Sequence, residues 1–101
     1  MKLEAGFIFL AAGADYQKDY QTISTPEVNL TAIGAKDYNT AVKAAQFLVQ
    51  KGVTAIELCG GFGIQGVAQI QAAVDPKIAI GVVRFDNHPG LNFQSGDQLF
   101  N

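Results

Sequence analysis

The stretch that decides the fold covers residues 53–85 and reads VTAIELCGGFGIQGVAQIQAAVDPKIAIGVVRF. Residues 53–59 are mostly apolar and have the length of a strand, and residues 60–63 form a glycine-rich loop. Residues 64–74 carry apolar side chains at helical spacing, and residues 78–85 are again nearly all apolar. A strand, a crossover helix and a second strand in this order predict two parallel strands of one sheet.

Two further elements are predicted on the N-terminal side of this unit. Residues 6–12 are continuously apolar, which is typical of a strand buried on both faces. Residues 15–23 place Tyr16, Tyr20 and Ile23 at i, i+4 and i+7, which predicts a helix.

The middle of the chain adds another strand and the clearest helix. Residues 28–33 alternate between apolar and polar side chains, which predicts a half-exposed strand at a sheet edge. Residues 37–51 carry one long apolar stripe and end at Gly52. Phe47 lies on the opposite side of that helix, so it is either a lone exposed aromatic or a contact with a partner. Residues 86–101 form a turn-rich tail.

Together these elements predict a single α/β domain over residues 1–101, with a small, mostly parallel four-stranded sheet and about three helices in the order βαβαβαβ. If the strands lie in space in their chain order, all the helices cover one face and leave the other bare. A second copy of the chain would cover the bare face, so we expect a homo-oligomer, most simply a two-fold dimer. The alternative is a doubly wound monomer in which the tail helps to cover the sheet.

The composition excludes several classes of protein. The chain has 101 residues, 49% of them hydrophobic and 16% charged, with a net charge of −2. It has no excess of cations for nucleic-acid phosphates, and its one cysteine cannot form an intrachain disulfide. The apolar run at residues 6–13 is too short to span a membrane, and Glu4 argues against a signal peptide. We therefore expect a cytoplasmic protein with neither a nucleic-acid partner nor a membrane partner.

Polar side chains collect where the last two predicted strands end. The third strand runs into ELCGGFG at residues 57–63, and the fourth runs into RFDNHPG at residues 84–90. Ligands of parallel sheets bind at such carboxyl ends. The candidate catalytic residues are Glu57, Cys59 and His88. The candidate ligand-binding residues are Gly60, Gly61, Phe62, Gly63, Arg84 and Asp86.

Each of these side chains also has a purely structural interpretation. Cys59 is either a thiol activated near a helix N-terminus or a small buried strand residue. His88 is either a general base or a residue that shapes its turn. Arg84 and Glu57 either bind a substrate or pair with each other across neighbouring strands. Glu57, Asp86 and His88 have the chemistry of metal ligands, but no spacing motif supports a metal site.

Residues 61–66 match G-x-G-x-x-G between a strand and a helix, and Asp86 follows 20 residues after Gly66. Three interpretations are open: a dinucleotide site, a general anion site at the helix N-terminus, and a structural turn. The strand–helix unit stands at the end of the chain, so no second mononucleotide-binding half follows it.

The same residues carry a resemblance to a known family. ELCGGFG at 57–63, VRFDNHPG at 83–90, FIFLAAGAD at 7–15 and KDY at 36–38 resemble the signature stretches of a family of short prokaryotic proteins of unknown function. The resemblance covers nearly the whole chain. It implies a small stand-alone domain, and the family supplies no cofactor, reaction or catalytic residue.

Two functions follow as hypotheses. The first is binding of a small anionic ligand at the carboxyl ends of the third and fourth strands, with acid–base catalysis by Glu57 or His88 as an added possibility. The alternative is a non-catalytic, homo-oligomerising structural or regulatory domain. Which ligand, cofactor or reaction is involved cannot be derived from the residues.

Overall fold

The computed structural model describes residues 2–101 and shows a five-stranded sheet with helices on one side. The strands lie in the spatial order β2-β3-β1-β4-β5. Their bounds are β1 Leu3–Leu10, β2 Tyr20–Ser24, β3 Val28–Ala35, β4 Ala55–Leu58 and β5 Ala79–Val82. The helices are α1 Tyr38–Gln50, α2 Ile64–Ala73 and the short α3 Gly96–Leu99, with a 3₁₀ turn at Pro89–Leu91.

The sheet is parallel except at one edge. β1 pairs in parallel with β3 and β4, and β4 pairs in parallel with β5. β2 pairs antiparallel with β3. The parallel pair predicted from residues 53–85 is therefore confirmed, and so is the mostly parallel α/β class. The predicted count of four strands is one too few.

The fifth strand comes from residues 15–23, where the predicted helix is wrong. Residues 20–24 form β2, and a turn held by the Asp15 N–H, which donates to Asp19 Oδ2 at 2.7 Å, leads into it. Three apolar residues at helical spacing are a weak signal, and Thr22 and Ile23 are β-branched residues that fit a pleated strand. Cross-strand pairing decides the outcome, because Thr22 Oγ1 lies 2.8 Å from Thr31 Oγ1 of β3.

The added strand changes the position of β3. The sequence predicts that residues 28–33 form an edge strand, but β3 lies between β1 and β2 and runs on to Ala35. β4 and β5 are shorter than predicted, with four residues each. Cys59 and Arg84 consequently follow the strands instead of ending them.

The core lies between the sheet and helices α1 and α2. Alternate strand residues, such as Ile8, Ile33 and Ile56, are buried under these helices. α1 approaches β1 closely, because a Cβ at Gly6 would lie 2.7 Å from Leu48 Cδ1. α1 and α2 also pack against each other, which places both on the same face of the sheet.

The aromatic residue on the polar side of α1 has an internal role. Phe47 is half-buried and packs edge-on against Tyr20 of β2, with ring centroids 5.2 Å apart, and against Tyr16 at 6.4 Å. The Lys51 ammonium lies 5.2 Å from the Phe47 ring centroid. Neither interpretation of Phe47 made from the sequence anticipated this contact, since both rested only on its position opposite the apolar stripe of α1.

Neither α1 nor α2 covers the opposite face of the sheet, and we call that face the open face. The connection from β1 to β2 approaches it at Gly34, where a Cβ would lie 3.2 Å from Ala14 Cβ. Strand alternation and register place apolar side chains from every strand on the open face. They are Leu3, Ala5, Phe7, Phe9, Ile23, Val28, Leu30, Ala32, Ala55 and Ala79. The polar side chains of the open face are Gln21 and Glu57, and a Cβ built on Gly81 would meet open space.

Among residues 2–101, every helix is too short or too polar to cross a lipid bilayer.

Candidate functional site: the carboxyl ends of β4 and β5

The N-terminus of α2 is capped by a carboxylate from the tail of the same chain. Asp97 Oδ1 accepts hydrogen bonds from the backbone N–H of Gln65 at 3.1 Å and of Gly66 at 3.3 Å. Gly63 stands at the N-cap position and has no side chain to do this. The unpaired N–H groups and the dipole of the helix thus find their anion inside the protein.

The Tyr38 hydroxyl links this cap to the glycine loop. It donates to Asp97 Oδ1 at 2.9 Å and accepts from the Gly63 N–H at 2.9 Å. The side chain is almost fully buried, and its ring stacks on Phe62 with centroids 5.6 Å apart. Burial raises the pKa of Tyr38 to about 12, and the bond to Asp97 and its charge act in the same direction. The hydroxyl therefore stays protonated and keeps its donor role at neutral pH.

The glycines of the loop make room for neighbouring parts of the chain. A Cβ on Gly60 would overlap the Phe85 ring, one on Gly63 would overlap the Asp97 carboxylate, and one on Gly66 would overlap the Tyr38 ring. Among the three interpretations of the G-x-G-x-x-G spacing, this packing favours the structural turn. The Asp97 carboxylate also binds the amides that a phosphate would use.

The two predicted stretches meet, and Phe85 makes the contact. Its ring lies over Gly60 and packs edge-on against His88, with centroids 4.9 Å apart. His88 Nδ1 accepts from the Gly90 N–H at 3.0 Å, so this histidine shapes its own turn. The parallel neighbours β4 and β5 bring residues 57–63 and 84–88 to one edge of the sheet, as the sequence indicates.

The other candidate side chains of this edge differ in position. Glu57 is exposed on the open face, away from the helices. Cys59 is a half-buried free thiol whose Sγ accepts from the Gly61 N–H at 3.3 Å. Arg84 is exposed, and its Nε lies 2.7 Å from Asp86 Oδ1, so the alternative of an Arg84–Glu57 pair is wrong. Within residues 2–101, no hydrogen bond joins any two of Glu57, Cys59 and His88.

A cleft of about 250 Å³ opens beside Arg84 on the helix side of this edge. Gly63 and the apolar residues of α2 form one wall, and Val82 of β5 forms the other. The lining residues are Phe62, Gly63, Ile64, Val67, Ala68, Gln71, Val82 and Arg84. Three of them, Phe62, Gly63 and Arg84, are predicted ligand-binding residues.

Sequence reasoning missed Tyr38 as a site residue and missed Asp97 altogether. Tyr38 is the first residue of the apolar stripe of α1, which indicates only a core position. Asp97 lies 32 residues after Gln65 in a short tail helix, and no motif spacing connects the two. Their roles depend on a tertiary contact.

Comparison with known proteins identifies the family of the chain. The model of a family of unknown function, DUF6506, matches residues 3–98. The chain belongs to the DUF6506 family. No curated protein and no solved structure matches the chain. The resemblance indicated by ELCGGFG and VRFDNHPG is thereby confirmed, and both stretches lie at the edge of the DUF6506 sheet described above.

Proposed function

We propose that this protein is a self-associating, non-catalytic domain in which two copies pack their open faces together. The observation that carries the proposal is the composition of that face, which combines ten apolar side chains with Gln21 and Glu57. Ile23 is 61% exposed, Leu3 47% and Phe9 36% in the single chain. Parallel sheets are normally covered on both faces, because each bare apolar face costs free energy in water.

The size of the open face suits a dimer. β1 and β3 have eight residues each, β2 has five, and β4 and β5 have four each, which at about 3.3 Å per residue and a strand spacing of about 4.8 Å gives a projected area of roughly 460 Å². That is somewhat more than half of the ~800 Å² that each partner buries in a standard interface, a figure that counts the accessible surface of side chains and not their projection. A second copy supplies a surface of the same size and apolar character.

Charge complementarity supports a second copy as the occupant. Lys18 and Asp19 lie at the β2 side of the open face, where both line a shallow hollow with Phe9 and Ala32, and Asp19 Oδ2 accepts from the Asp15 N–H. Glu57 lies on β4, at the opposite side of the same face. A two-fold axis parallel to the strands and close to β1 places each Glu57 towards the β2 side of the other copy, where Gln21 lies in the same cross-strand row and Lys18 lies just before the start of the strand.

Sedimentation equilibrium over a concentration series tests the dimer, with two matched isoleucines as probes. Ile23→Glu places a charge on the open face, and Ile64→Glu places one at a similar exposure, 63%, on the helix side. We expect wild type and Ile64→Glu to dimerise and Ile23→Glu to remain monomeric. A wild-type chain that is monomeric throughout the micromolar range contradicts the proposal.

Charge exchange tests the arrangement of the two copies. Lys18→Glu and Glu57→Lys should each weaken the dimer, and the double variant should restore much of the affinity. Two single variants that dimerise like wild type would contradict the strand-parallel axis.

Binding of a small anionic ligand at the carboxyl ends of β4 and β5 is the second candidate function. The position of Arg84 at the cleft favours it, because Arg84 is a cation beside a concave apolar surface. Catalysis has less support: His88 is engaged in its turn, the Cys59 sulfur accepts from Gly61, and Glu57 lies on the open face. Arg84→Gln, followed by calorimetric titration with small carboxylates and phosphate, tests this candidate.

A further inference from the structure

The cleft beside Arg84 has an apolar body and polar ends. Ile64, Val67, Ala68 and Val82 provide the apolar lining, whereas Arg84 and Gln71 provide side-chain polar groups. Among residues 2–101 no acidic side chain lines the cleft itself, and Asp86 pairs with Arg84 beside it. Its volume of about 250 Å³ lies below the ~300–1,000 Å³ typical of drug-sized sites, so its ligand is small.

Two of its apolar side chains are poorly covered by the protein. Ile64 is 63% exposed and Val82 is 42% exposed, although both line the cleft. Covering them with an apolar group removes hydrocarbon surface from water, which is worth about 25 cal/mol per Å². The walls therefore favour a ligand that carries hydrocarbon over a small inorganic ion.

The guanidinium of Arg84 retains most of its hydrogen-bonding capacity. Only Nε is used, in the bond to Asp86 Oδ1 at 2.7 Å, and no hydrogen bond within residues 2–101 uses Nη1 or Nη2. The two terminal amino groups form a planar fork that matches the two oxygens of a carboxylate.

The neighbouring helix terminus selects against phosphate. The backbone amides of Gln65 and Gly66, which would bind a phosphate dianion, already donate to Asp97. Arg84 is the one charged side chain that lines the cleft, and the carboxylates of Asp86 and Asp97 lie next to its lining residues Arg84 and Gly63, which suits a monoanion better than a dianion.

We propose that the cleft binds a small monocarboxylate with an apolar tail, the carboxylate on Arg84 and the tail between Ile64 and Val82. This inference rests on the second candidate function and names the class of its ligand. It does not depend on the dimer, because the cleft lies on the helix side and the open face on the other.

Methyl and amide NMR of the full chain tests the inference with hexanoate as the probe. Titration should shift the signals of Ile64 and Val82 in a saturable way. Arg84→Gln should weaken hexanoate binding roughly tenfold or more, the scale expected for losing a charged hydrogen bond. Ile64→Gln should weaken it too, and neither exposed substitution should alter the amide pattern of the core.

Asp86→Asn is the matched control, since it releases Arg84 from its ion pair. It should bind hexanoate at least as tightly as wild type. Weaker binding to Asp86→Asn would contradict the role assigned to Arg84.

Three further probes separate the possible failures. Phosphate and hexanol should each bind more weakly than hexanoate. Phosphate that binds as tightly as hexanoate, and does so through Arg84, would leave the anionic-ligand function standing and overturn the carboxylate class. Hexylamine, which carries a positive charge, should not bind beside Arg84. If hexanol or hexylamine binds as tightly as hexanoate, both the carboxylate class and the anionic-ligand function are overturned. The absence of any shift at Ile64 and Val82 with hexanoate and with phosphate would overturn both as well.

Discussion

Tyr38 is the residue on which the glycine loop, the tail and helix α2 converge. Its hydroxyl occupies a buried position between a donor, the Gly63 N–H, and an acceptor, Asp97 Oδ1. One phenolic oxygen therefore satisfies two groups that come from distant parts of the sequence. A buried polar group of this kind contributes most when both of its partners are in place.

Tyr38→Phe should lower the free energy of unfolding by about 1–3 kcal/mol, because it removes the hydroxyl and leaves the Gly63 N–H without its partner. Tyr38→Phe should also change how the free energy of unfolding depends on pH in the alkaline range. A folded-state pKa of about 12 against an ordinary value of 10.0 gives stability that is fully present below pH 10 and is lost as the pH rises towards 12.

Chemical denaturation at several pH values and a tyrosinate absorbance titration measure both effects. The component of the titration near pH 12 should be missing in Tyr38→Phe. An unchanged titration curve would contradict the assignment, and an unchanged unfolding free energy at neutral pH would contradict the hydrogen-bonding role.

At the scale of the elements, α1 and α2 begin in different ways. α1 is capped locally by Asp37, whose Oδ1 accepts from the Thr40 N–H at 2.8 Å, while Thr40 Oγ1 accepts in return from the Asp37 N–H. α2 has glycine at the same position and depends on Asp97. The first cap can form as soon as its own turn forms, whereas the second requires the tail to be docked.

Asp37→Ala should lower the free energy of unfolding by about 1 kcal/mol, the usual contribution of an N-cap. The hydrogen bonds from the Thr40 backbone and hydroxyl hold the pKa of Asp37 below 3.8. The contribution is therefore present above that ordinary value and is lost as the pH falls through the lowered pKa.

Urea unfolding between neutral and acid pH checks this, with Glu27→Gln as the control at an exposed carboxylate. Wild type and Glu27→Gln should lose stability in parallel as the pH falls, and Asp37→Ala should lose less. If the free energy of unfolding falls equally steeply with decreasing pH in all three proteins, the Asp37 carboxylate does not contribute to the acid dependence of stability.

At the scale of the whole molecule, the sheet has a covered face and an open face. α1 and α2 lie together on one side because the crossovers from β3 to β4 and from β4 to β5 move across the sheet in the same direction and, like nearly all such crossovers, with the same hand. The tail packs its short α3 against α2 and leaves the other face of the sheet open. The apolar open face is therefore the surface that the proposed dimer would remove from water.

The melting temperature should rise with protein concentration if the open faces pair, because the native dimer is favoured by mass action over unfolded chains. Scanning calorimetry over a hundredfold range of concentration measures this. Ile23→Glu should show no such dependence, and Ile64→Glu should keep it. Equal melting temperatures for wild type at all concentrations would count against a dimer.

Much of the fold was predictable because its signals are local. The apolar stretches, the stripe of α1 and the strand–helix–strand unit of residues 53–85 are properties of neighbouring residues, and they gave the parallel class and the proximity of Gly60 to Phe85. β2 was not predictable in the same way. Tyr16, Tyr20 and Ile23 fit a helix by spacing, and the pairing of residues 20–24 with β3 overrode that weak preference.

The candidate site shows the same division. The sequence by itself determined which chemical groups lie at and beyond the carboxyl ends of β4 and β5, since chain order is enough to place Glu57 in β4 and Arg84 and His88 after β5. Only the tertiary structure decided what those groups do: Asp97 binds the helix amides, Asp86 pairs with Arg84, and Glu57 lies on the open face. The physical reason is that a hydrogen bond or an ion pair depends on distances of a few ångströms between residues far apart in the chain, and local patterning does not encode those distances.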